Sequence, residues 1–599
     1  MDRNTAIGFT LIALLLMVYF YFFAGTGSTP PAPQATPVVI DSARQQVADA
    51  VVKSQPDSAL VTQLGEVGAL LQGSETLTTL ENEDLKLVFS NHGKPVVAEL
   101  KKYKTYTQEP LVLVGQSSSQ LSLLTTINNS KVDLHALYYQ VSQQTQGDST
   151  VIRFSAAWGA NQFVRHIYSI PQKGYLVRYR LETNALPSGE VVTLQWKNQV
   201  PLQEKDVADS RLKTTINYLA KDIGFDGLSE SSRDLEEETL SQPIQWFALR
   251  QKFFVSAIQS AAGFSGGYIS TYGYPASEQI VKDTEIKAFI PAADLASGKG
   301  NFTYYFGPNE YTTLQNTGIA EFDNNLYFGW PPVKWVNRFL IVPIFSFLEG
   351  FIGNYGLIII VMVLIIKLIL APLSYQSYLG MAKMRLLKPE LDLIKEKYGD
   401  NMAQIQQEQM KLYQQAGVNP FSGCIPVLLQ MPILIAMFYF FPVSMELRQQ
   451  PFLWAEDLST YDSIVNLPFT IPFYGAHVSL FTILMTISTL IYTWQNNQIS
   501  SVTGPMKQVS MIMPVVFMFI MNTFSAGLSF YYFVSNLVTF AQQAIIKRFV
   551  DEDKIKRVMD EHKKKLIASG GTGKKSKFMA KLEDAMKASE EARKKNERK

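Results

Sequence analysis

Residues 355–373 read YGLIIIVMVLIIKLILAPL, with a single charge, Lys367. A helix needs about 20 mostly apolar residues to cross roughly 30 Å of hydrocarbon at about 1.5 Å per residue, and this run has that length. Working outward from it, similar runs follow at 424–443, 478–494, 509–524 and 528–546, and an earlier one lies at 6–24. The reading is therefore a membrane protein with six spans. The averages conceal this, since 599 residues that are 47% apolar and 18% charged, with net charge +2, would suit a soluble domain. The single cysteine, Cys424, excludes a disulfide framework and a multi-cysteine metal site. Five histidines, His92, His135, His166, His477 and His562, are scattered without metal-ligand spacing, which argues against zinc chemistry.

Charge between the runs sets an orientation. The segment after 373 carries Lys383, Arg385, Lys388, Lys395, Lys397 and Lys411, whereas residues 446–477 hold one cation, Arg448. By the positive-inside rule the first is cytoplasmic and the second external. Counting back puts the N-terminus inside, residues from about 25 to 350 outside, and the tail after 546 inside. The run at 6–24 is read as a retained anchor rather than a cleaved signal peptide. Its apolar core is long for such a peptide, and Phe22-Phe23-Ala24-Gly25 is a weak cleavage site. Residues 25–75 then read as a linker, opening with a Gly, Ser, Thr and Pro-rich tether.

From about 76 the pattern becomes short and alternating. Leu85, Leu87 and Phe89 precede a turn at Asn91-His92-Gly93-Lys94, and two strand-like runs flank Pro171-Gln172-Lys173-Gly174, a hairpin signal. Aromatic strand formers such as Trp246, Phe253, Phe254, Tyr304, Tyr305 and Phe306 add to it. The external domain, 76–329, is expected to be a β-sandwich large enough to bury its own core. Such folds host sugar chemistry, but His92, His135 and His166 have no recognisable acid–base companion and read as solvated or structural. The acidic stretch 234–238 reads as a solvated loop.

Residues 330–350 place Lys334, Asn337 and Arg338 on one helical arc and Trp335, Val336, Phe339 and Val342 on the opposite one, as in a helix lying in the membrane interface. Residues 375–418 read as two helices joined at Gly399-Asp400-Asn401, with Asp400 or Asn401 as N-cap and Gly417 as stop. Leu391, Ile394 and Tyr398 would face Ile405 and Leu412 across a thin apolar seam, which predicts a mobile cytoplasmic hairpin.

Lys367 is wrong for lipid. A lysine at a span centre costs about 2.5–3.5 kcal/mol on insertion scales, so it marks a functional position, against the alternative of snorkelling to the inner interface. Thr482, Thr486, Thr489 and Thr493 fall on an arc of about 60°, and Ser529, Tyr532, Ser535, Asn536, Thr539, Gln542 and Gln543 within about 140°. With Gln430 they suggest a shared hydrated cavity, against simple packing by hydroxyl groups. Lys367, Thr493, Gln542 and Gln543 lie toward the cytoplasmic ends, so the cavity should open inward.

At these residues a resemblance becomes specific. Met381-Ala382-Lys383-Met384-Arg385, Val418-Asn419-Pro420, Gly423-Cys424-Ile425-Pro426, Gln430-Met431-Pro432-Ile433, Gly527-Leu528, and Tyr531-Tyr532 followed by Val534-Ser535-Asn536-Leu537 resemble the YidC membrane protein insertases, relatives of the Oxa and Alb proteins. Trp246-Phe247-Ala248 and Phe306-Gly307-Pro308 more weakly resemble the periplasmic domain of Gram-negative members. The resemblance implies an α-helical membrane bundle, a five-helix insertase core plus an N-terminal anchor helix, with a large periplasmic β-sandwich domain. Its segments are anchor 1–24, linker 25–75, sandwich 76–329, interfacial helix 330–350, core 351–546 and basic cytoplasmic tail 547–599.

It further implies an inner-membrane protein that inserts and helps fold other membrane proteins, alone or with the Sec translocon and its accessory subunits, without catalysis and without a cofactor. The family's groove carries an arginine where Lys367 stands; lysine keeps the charge and loses the planar fork. Client contacts match Met431, Ile433, Leu434, Tyr531 and Tyr532, and Met511, Met513, Met518 and Met521 offer an adaptable surface. Partners follow as nascent membrane proteins, the translocon, membrane lipids, and the ribosome through the basic tail, which holds Lys563-Lys564-Lys565 and further clusters. The other readings are a transporter or channel with a periplasmic sugar-binding domain, which would want repeats or paired broken helices, and a membrane-tethered sugar enzyme.

Overall fold

The computed structural model describes residues 64–568, apart from 128, 188, 274–276, 278, 400, 419–424 and 500–504. The expected anchor at 6–24, most of the linker, the tail beyond 568, and Asp400, Asn419, Pro420, Gly423 and Cys424 lie outside the described residues. The chain divides into two units, one made of residues up to Phe328 together with Tyr439–Gln450, the other of Gly329–Phe438 and Pro451 onward.

In the first unit, strands with one buried face pair into two large antiparallel sheets, of nine and six strands among the described residues. Strand Ile280–Pro291 shows why: its residues alternate between buried and half-exposed along nearly its whole length, the period of a pleated strand. The inner faces meet over aromatic side chains. Trp196 of the six-stranded sheet packs edge-on against Tyr304 and Phe306 of the nine-stranded one, centroids 6.1 Å apart in each case. The expected hairpin pairs Gln162–Pro171 with Leu176–Thr183, and Gly174 supplies the positive φ, 97°, that its turn requires. The acidic stretch is not a loop. Glu236–Leu240 is a strand at one end of the six-stranded sheet, where the Ser229 N–H and the Tyr268 hydroxyl donate to Glu236 and Glu237 at 2.8 Å and the Tyr218 hydroxyl to Glu238 at 3.2 Å.

In the second unit the apolar runs become helices. These are α1 (Tyr355–Ile369), α2 (Ala371–Leu386), α3 (Lys388–Tyr398), α4 (Met402–Gln415), α5 (Ile425–Phe440, ending inside the first unit), α6 (Leu480–Ile499), α7 (Pro505–Met521), α8 (Ala526–Phe549) and α9 (Glu552–Ala568). Helices α1, α5, α6, α7 and α8 coincide with five expected spans. Among the described residues no single helix is long and apolar enough to pass as a membrane span; α1 and α2 do so together, bent by 63°. Pro372 accounts for the break, because it has no N–H to offer the carbonyl four residues back.

Two other expectations are corrected. The expected interfacial helix is Pro331–Val336, a π-turn over Asn337–Ile341, and Val342–Glu349. Trp335 and Phe339 are exposed, but Asn337 is not on a polar face: it is fully buried and donates to the Ala436 carbonyl at 3.1 Å. Residues 375–418 hold three helices, the first beginning at Ala371, rather than two, and their seam is thicker than the sequence suggested. Ile555 and Met559 of α9 join Leu387, Leu391, Leu412, Tyr413, Ala416 and Val418 in one core, with Ile394 packed against it. Asn401 caps α4 by accepting from Gln404 N–H, and Gly417 ends it with a positive φ of 65°.

Candidate functional site

The hydroxyl stripes of α6 and α8 face one another and divide into two regions. Toward the Leu480 end they form a closed polar knot. Thr482 and Ser529 hydroxyls lie 3.0 Å apart, and Thr482 also bonds to the Met521 carbonyl at 3.2 Å. Asn522, fully buried, accepts from Ser479 N–H at 2.9 Å and donates to the Tyr474 and His477 carbonyls at 2.8 Å, while His477 donates back to the Asn522 carbonyl at 2.7 Å. Asp462 caps α6 from a distance, taking the N–H groups of Leu480 and Phe481 at 2.9 and 3.1 Å, the indole N–H of Trp454 at 2.8 Å and the Ser479 hydroxyl. A carboxylate with four donors at a helix N-terminus is well matched to the unpaired amides and the dipole there.

Farther along, the seam loosens. Asn536 of α8 donates to Ser488 at 2.9 Å and Thr489 at 3.0 Å. Thr486 and Thr489 also bond back to carbonyls of their own helix at 2.8 and 2.7 Å, as does Thr539 to Ser535 at 2.7 Å. Thr486 and Ser535 are buried, but Thr489, Thr493, Asn536, Thr539, Gln542 and Gln543 are partly exposed. Lys367 is partly exposed too, and Gln542 bonds to its backbone carbonyl at 3.4 Å, which brings α1 and α8 together at this end. The seam is therefore buried and densely hydrogen-bonded at one end and open at the other.

Sequence reasoning missed Ser488, which lies off the threonine arc, and the whole Asp462–Ser479–Asn522–His477 knot, whose members are too far apart in the chain for any local spacing to join them. Gln430 is partly exposed on α5, as is Ile433; Met431 and Leu434 are exposed. Tyr531 is buried and Tyr532 partly exposed, their rings edge-to-face at 5.7 Å. Of the methionines of α7, Met521 is buried and Met511, Met513 and Met518 are partly exposed. On α2 and α3, Lys383 is partly exposed, Lys388 exposed, and Arg385 pairs with Glu552 at 3.3 Å.

The first unit holds a polar cleft of about 840 Å³ bordered by Lys94, Lys197, Asp283, Glu285 and Ser117–Ser119; His92, His135 and His166 do not line it. His135 and His166 are instead packed together in the sandwich core, ring centroids 5.1 Å apart, with the His166 ring bonded to the Tyr179 hydroxyl at 2.8 Å. Burial holds both imidazoles well below the usual histidine range, adding to the repulsion from Lys94 at His135. Among the described residues no group of His, Cys, Asp and Glu is arranged to hold a metal ion.

Residues 347–554 match the family described as 60Kd inner membrane protein, and residues 77–346 match the YidC periplasmic domain. The chain is 44% identical to the membrane protein insertase YidC of Amoebophilus asiaticus over 98% of its own length and 99% of that protein's. It is 44% identical to that of Cytophaga hutchinsonii, covering 99% of this chain and 98% of the relative. A crystal structure of an active YidC insertase with its first transmembrane domain resolved aligns with a TM-score of 0.31 and 18% identity, covering 83% of this chain and 98% of that one.

Proposed function

The chain belongs to the YidC family of membrane protein insertases, a bacterial membrane protein with a periplasmic domain, and from that premise we propose how it inserts its clients. Insertion runs through the seam between α6 and α8. Its open end, with Lys367, Asn536, Thr489, Thr493, Thr539 and Gln542, faces the cytoplasm and receives the hydrophilic leading segment of a nascent membrane protein, while Gln430, Met431, Ile433 and Leu434 on α5 and Tyr531 and Tyr532 on α8 contact its apolar segment. The observation that carries this is the asymmetry of the seam. Thr482, Ser529 and Asn522 are buried and bonded to partners inside the protein, whereas Lys367 and Gln542 keep exposed surface. A seam of that kind admits polar groups from one side only and shortens their path through hydrocarbon. It calls for no covalent step, so the device works by binding and transfer.

The topology that goes with this has both termini in the cytoplasm, α1, α5, α6, α7 and α8 across the inner membrane, and an anchor at 1–24. The segments 25–75, 76–329, 330–350, 351–546 with its hairpin at 375–418, and 547–599 keep the roles set out above. The Sec translocon with its accessory subunits, the ribosome and the lipids are the expected partners. In the cytoplasmic hairpin, Lys383, Arg385, Lys388 and Asp400 receive clients before they enter.

The test is insertion by the purified chain in proteoliposomes, with photocrosslinkers at positions 433, 536 and 367. Crosslinks from all three to a stalled client are expected. Insertion with no crosslink from 536 or 367 would remove the seam as the route.

A further inference from the structure

Between Asp462 and Lys507 the sequence holds no Asp, Glu, Lys or Arg, although its first part is too short and too broken to be a span. There Val465–Ile471 and Gly475–Val478 pair as an antiparallel hairpin within the second unit, ending one residue before α6. The hairpin hides little of itself in the protein. Five of the seven residues of its first strand are exposed, Val465 at 51% and Phe469 at 60% among them. At the tip, Tyr474 N–H donates to the Ile471 carbonyl at 3.1 Å, closing a turn with Pro472 and Phe473 in the middle. Phe473 takes a φ of 64° at the position where a type II turn favours Gly or Asn, and it is 73% exposed. A bulky apolar ring is thus kept at an exposed tip at a cost in backbone strain.

The base of the hairpin is fastened to the helices. Asn522, one residue past α7, donates to the Tyr474 and His477 carbonyls at 2.8 Å, and the His477 ring stacks on Tyr461 with centroids 3.7 Å apart. The Tyr474 ring meets Phe519 of α7 edge-on at 5.3 Å, and Ile464 N–H donates to the Val478 carbonyl at 3.0 Å. These bonds fix the hairpin relative to α6 and α7 while Val465, Phe469 and Phe473 stay exposed.

We propose that the hairpin is a lipid-binding element: it lies in the boundary between headgroups and acyl chains of the outer leaflet, with Val465, Phe469 and Phe473 in lipid, and sets the depth of the adjoining ends of α6 and α7. The proposal rests on the reading of α6 and α7 as spans with the hairpin outside. Lipid is favoured as the occupant by continuity, since Val478 leads into α6 and the hairpin therefore begins where the hydrocarbon ends. A two-stranded hairpin is marginal by itself in water, and this one is stabilised where its outward apolar residues leave water. The absence of charge lowers the cost of entry, and the lack of a cation excludes attraction to anionic headgroups. Pro468 and Pro472 withhold backbone donors, so the first strand is a poor template for a strand of a client or of a second copy.

The experiment uses the full-length chain with Cys424→Ser in phosphatidylcholine proteoliposomes, with one nitroxide at a time on Phe469→Cys, Phe473→Cys, Glu456→Cys or Ile491→Cys, and reads collisions with oxygen and with a neutral nickel chelate. Glu456, exposed and charged, is the water reference; Ile491, exposed on α6, is the lipid reference. Labels at 469 and 473 are expected to meet nickel about fivefold less often than the label at 456, and oxygen as freely as the label at 491. Nickel collisions matching those at 456 overturn the proposal. So does shielding from both reagents, which means a protein occupant, and so does spin–spin broadening that persists on dilution in lipid, which means a second copy. A label on Thr470→Cys should meet nickel several-fold more often in Phe469→Ser with Phe473→Ser than with both rings present; equal values overturn the proposal. Should that double variant fail to accumulate, Phe473→Ser alone carries the comparison. If the label at 491 meets nickel as freely as that at 456, it is the reading of α6 as a span that falls.

Discussion

Lys563 of α9 donates to both carboxylate oxygens of Glu390 at the start of α3, at 2.8 and 3.0 Å, 173 residues away in the chain. Beside this pair the His562 ring meets the Gln415 carbonyl at 3.3 Å, and Ile555 and Met559 lie in the core beneath. The basic stretch after α8 is thus partly a structural helix packed on α3 and α4. Both members of the ion pair retain solvent, so a double-mutant cycle between Lys563→Met and Glu390→Gln is expected to give no more than about 1 kcal/mol of coupling. The buried residues matter more. Met559→Asp should cost about 2–5 kcal/mol of local stability and strip hydrogen-exchange protection from α3 and α4. Unchanged protection there would mean that α9 does not hold the segment together.

Lys367 is expected to act by charge. Lys367→Arg should preserve insertion. Lys367→Met should slow it most for clients with acidic external segments, and Lys367→Glu should invert that preference, because a carboxylate met in a wet, low-dielectric pocket is held more strongly than in bulk water, where the pair at 4 Å is worth only about 1 kcal/mol. The check is a pair of clients differing only in those acidic residues; equal losses for both would assign Lys367 to structure.

The buried histidines predict an acid-sensitive sandwich. Their native affinity for protons is depressed, so between the native values and about 6.5 the unfolded chain binds more protons than the folded one. Stability is therefore complete above about pH 6.5 and falls as pH drops, by up to about 2.7 kcal/mol per pH unit if both groups contribute fully. Hydrogen exchange of strands 149–183 in the full-length chain between pH 7 and 5 measures it. His135→Phe should flatten the profile, and a profile equally steep in that variant would exclude His135 as the cause.

Asn522 is expected to be among the costliest polar positions of the helical unit. Removing its side chain in Asn522→Ala takes away its bonds to the Ser479 amide and to the Tyr474 and His477 carbonyls, for a loss of about 2–4 kcal/mol. Resistance to unfolding by denaturing detergent would show it; a loss under about 0.5 kcal/mol would mean that other groups or water replace the amide.

What the sequence revealed here depended on the range of the interaction. Residues 355–373 and 528–546 announced helices because apolar length is a local property, and the Gly174 and Gly417 turns were visible for the same reason. Ile555 and Met559 went unread because Lys and Glu dominate their helix, and a two-residue apolar stripe means little until a partner seam lies opposite. The threonine arc of α6 could be counted, but not which members open to solvent: Thr482 and Thr486 differ from Thr493 only through what α7, α8 and Asp462 place around them. Arg448 was legible as a lone cation and misleading as a loop residue, since its ion-pair partner, Glu204 at 2.8 Å, stands 244 residues away in the chain.

The bend between α1 and α2 has a mechanical meaning. On either side of it the backbone ladder holds, with Leu370 N–H on the Ile366 carbonyl and Ser374 N–H on the Leu370 carbonyl, both at 3.0 Å. The expectation is that such an elbow passes torque on instead of absorbing it. A load on the far end of α2, where Arg385 pairs with Glu552 of α9, should then arrive at Lys367 as a rotation of its helix, so that pulling on one arm turns the charge at the other. Inserting two glycines at the elbow would disconnect them, and spin labels on both arms would register whether the turning stops.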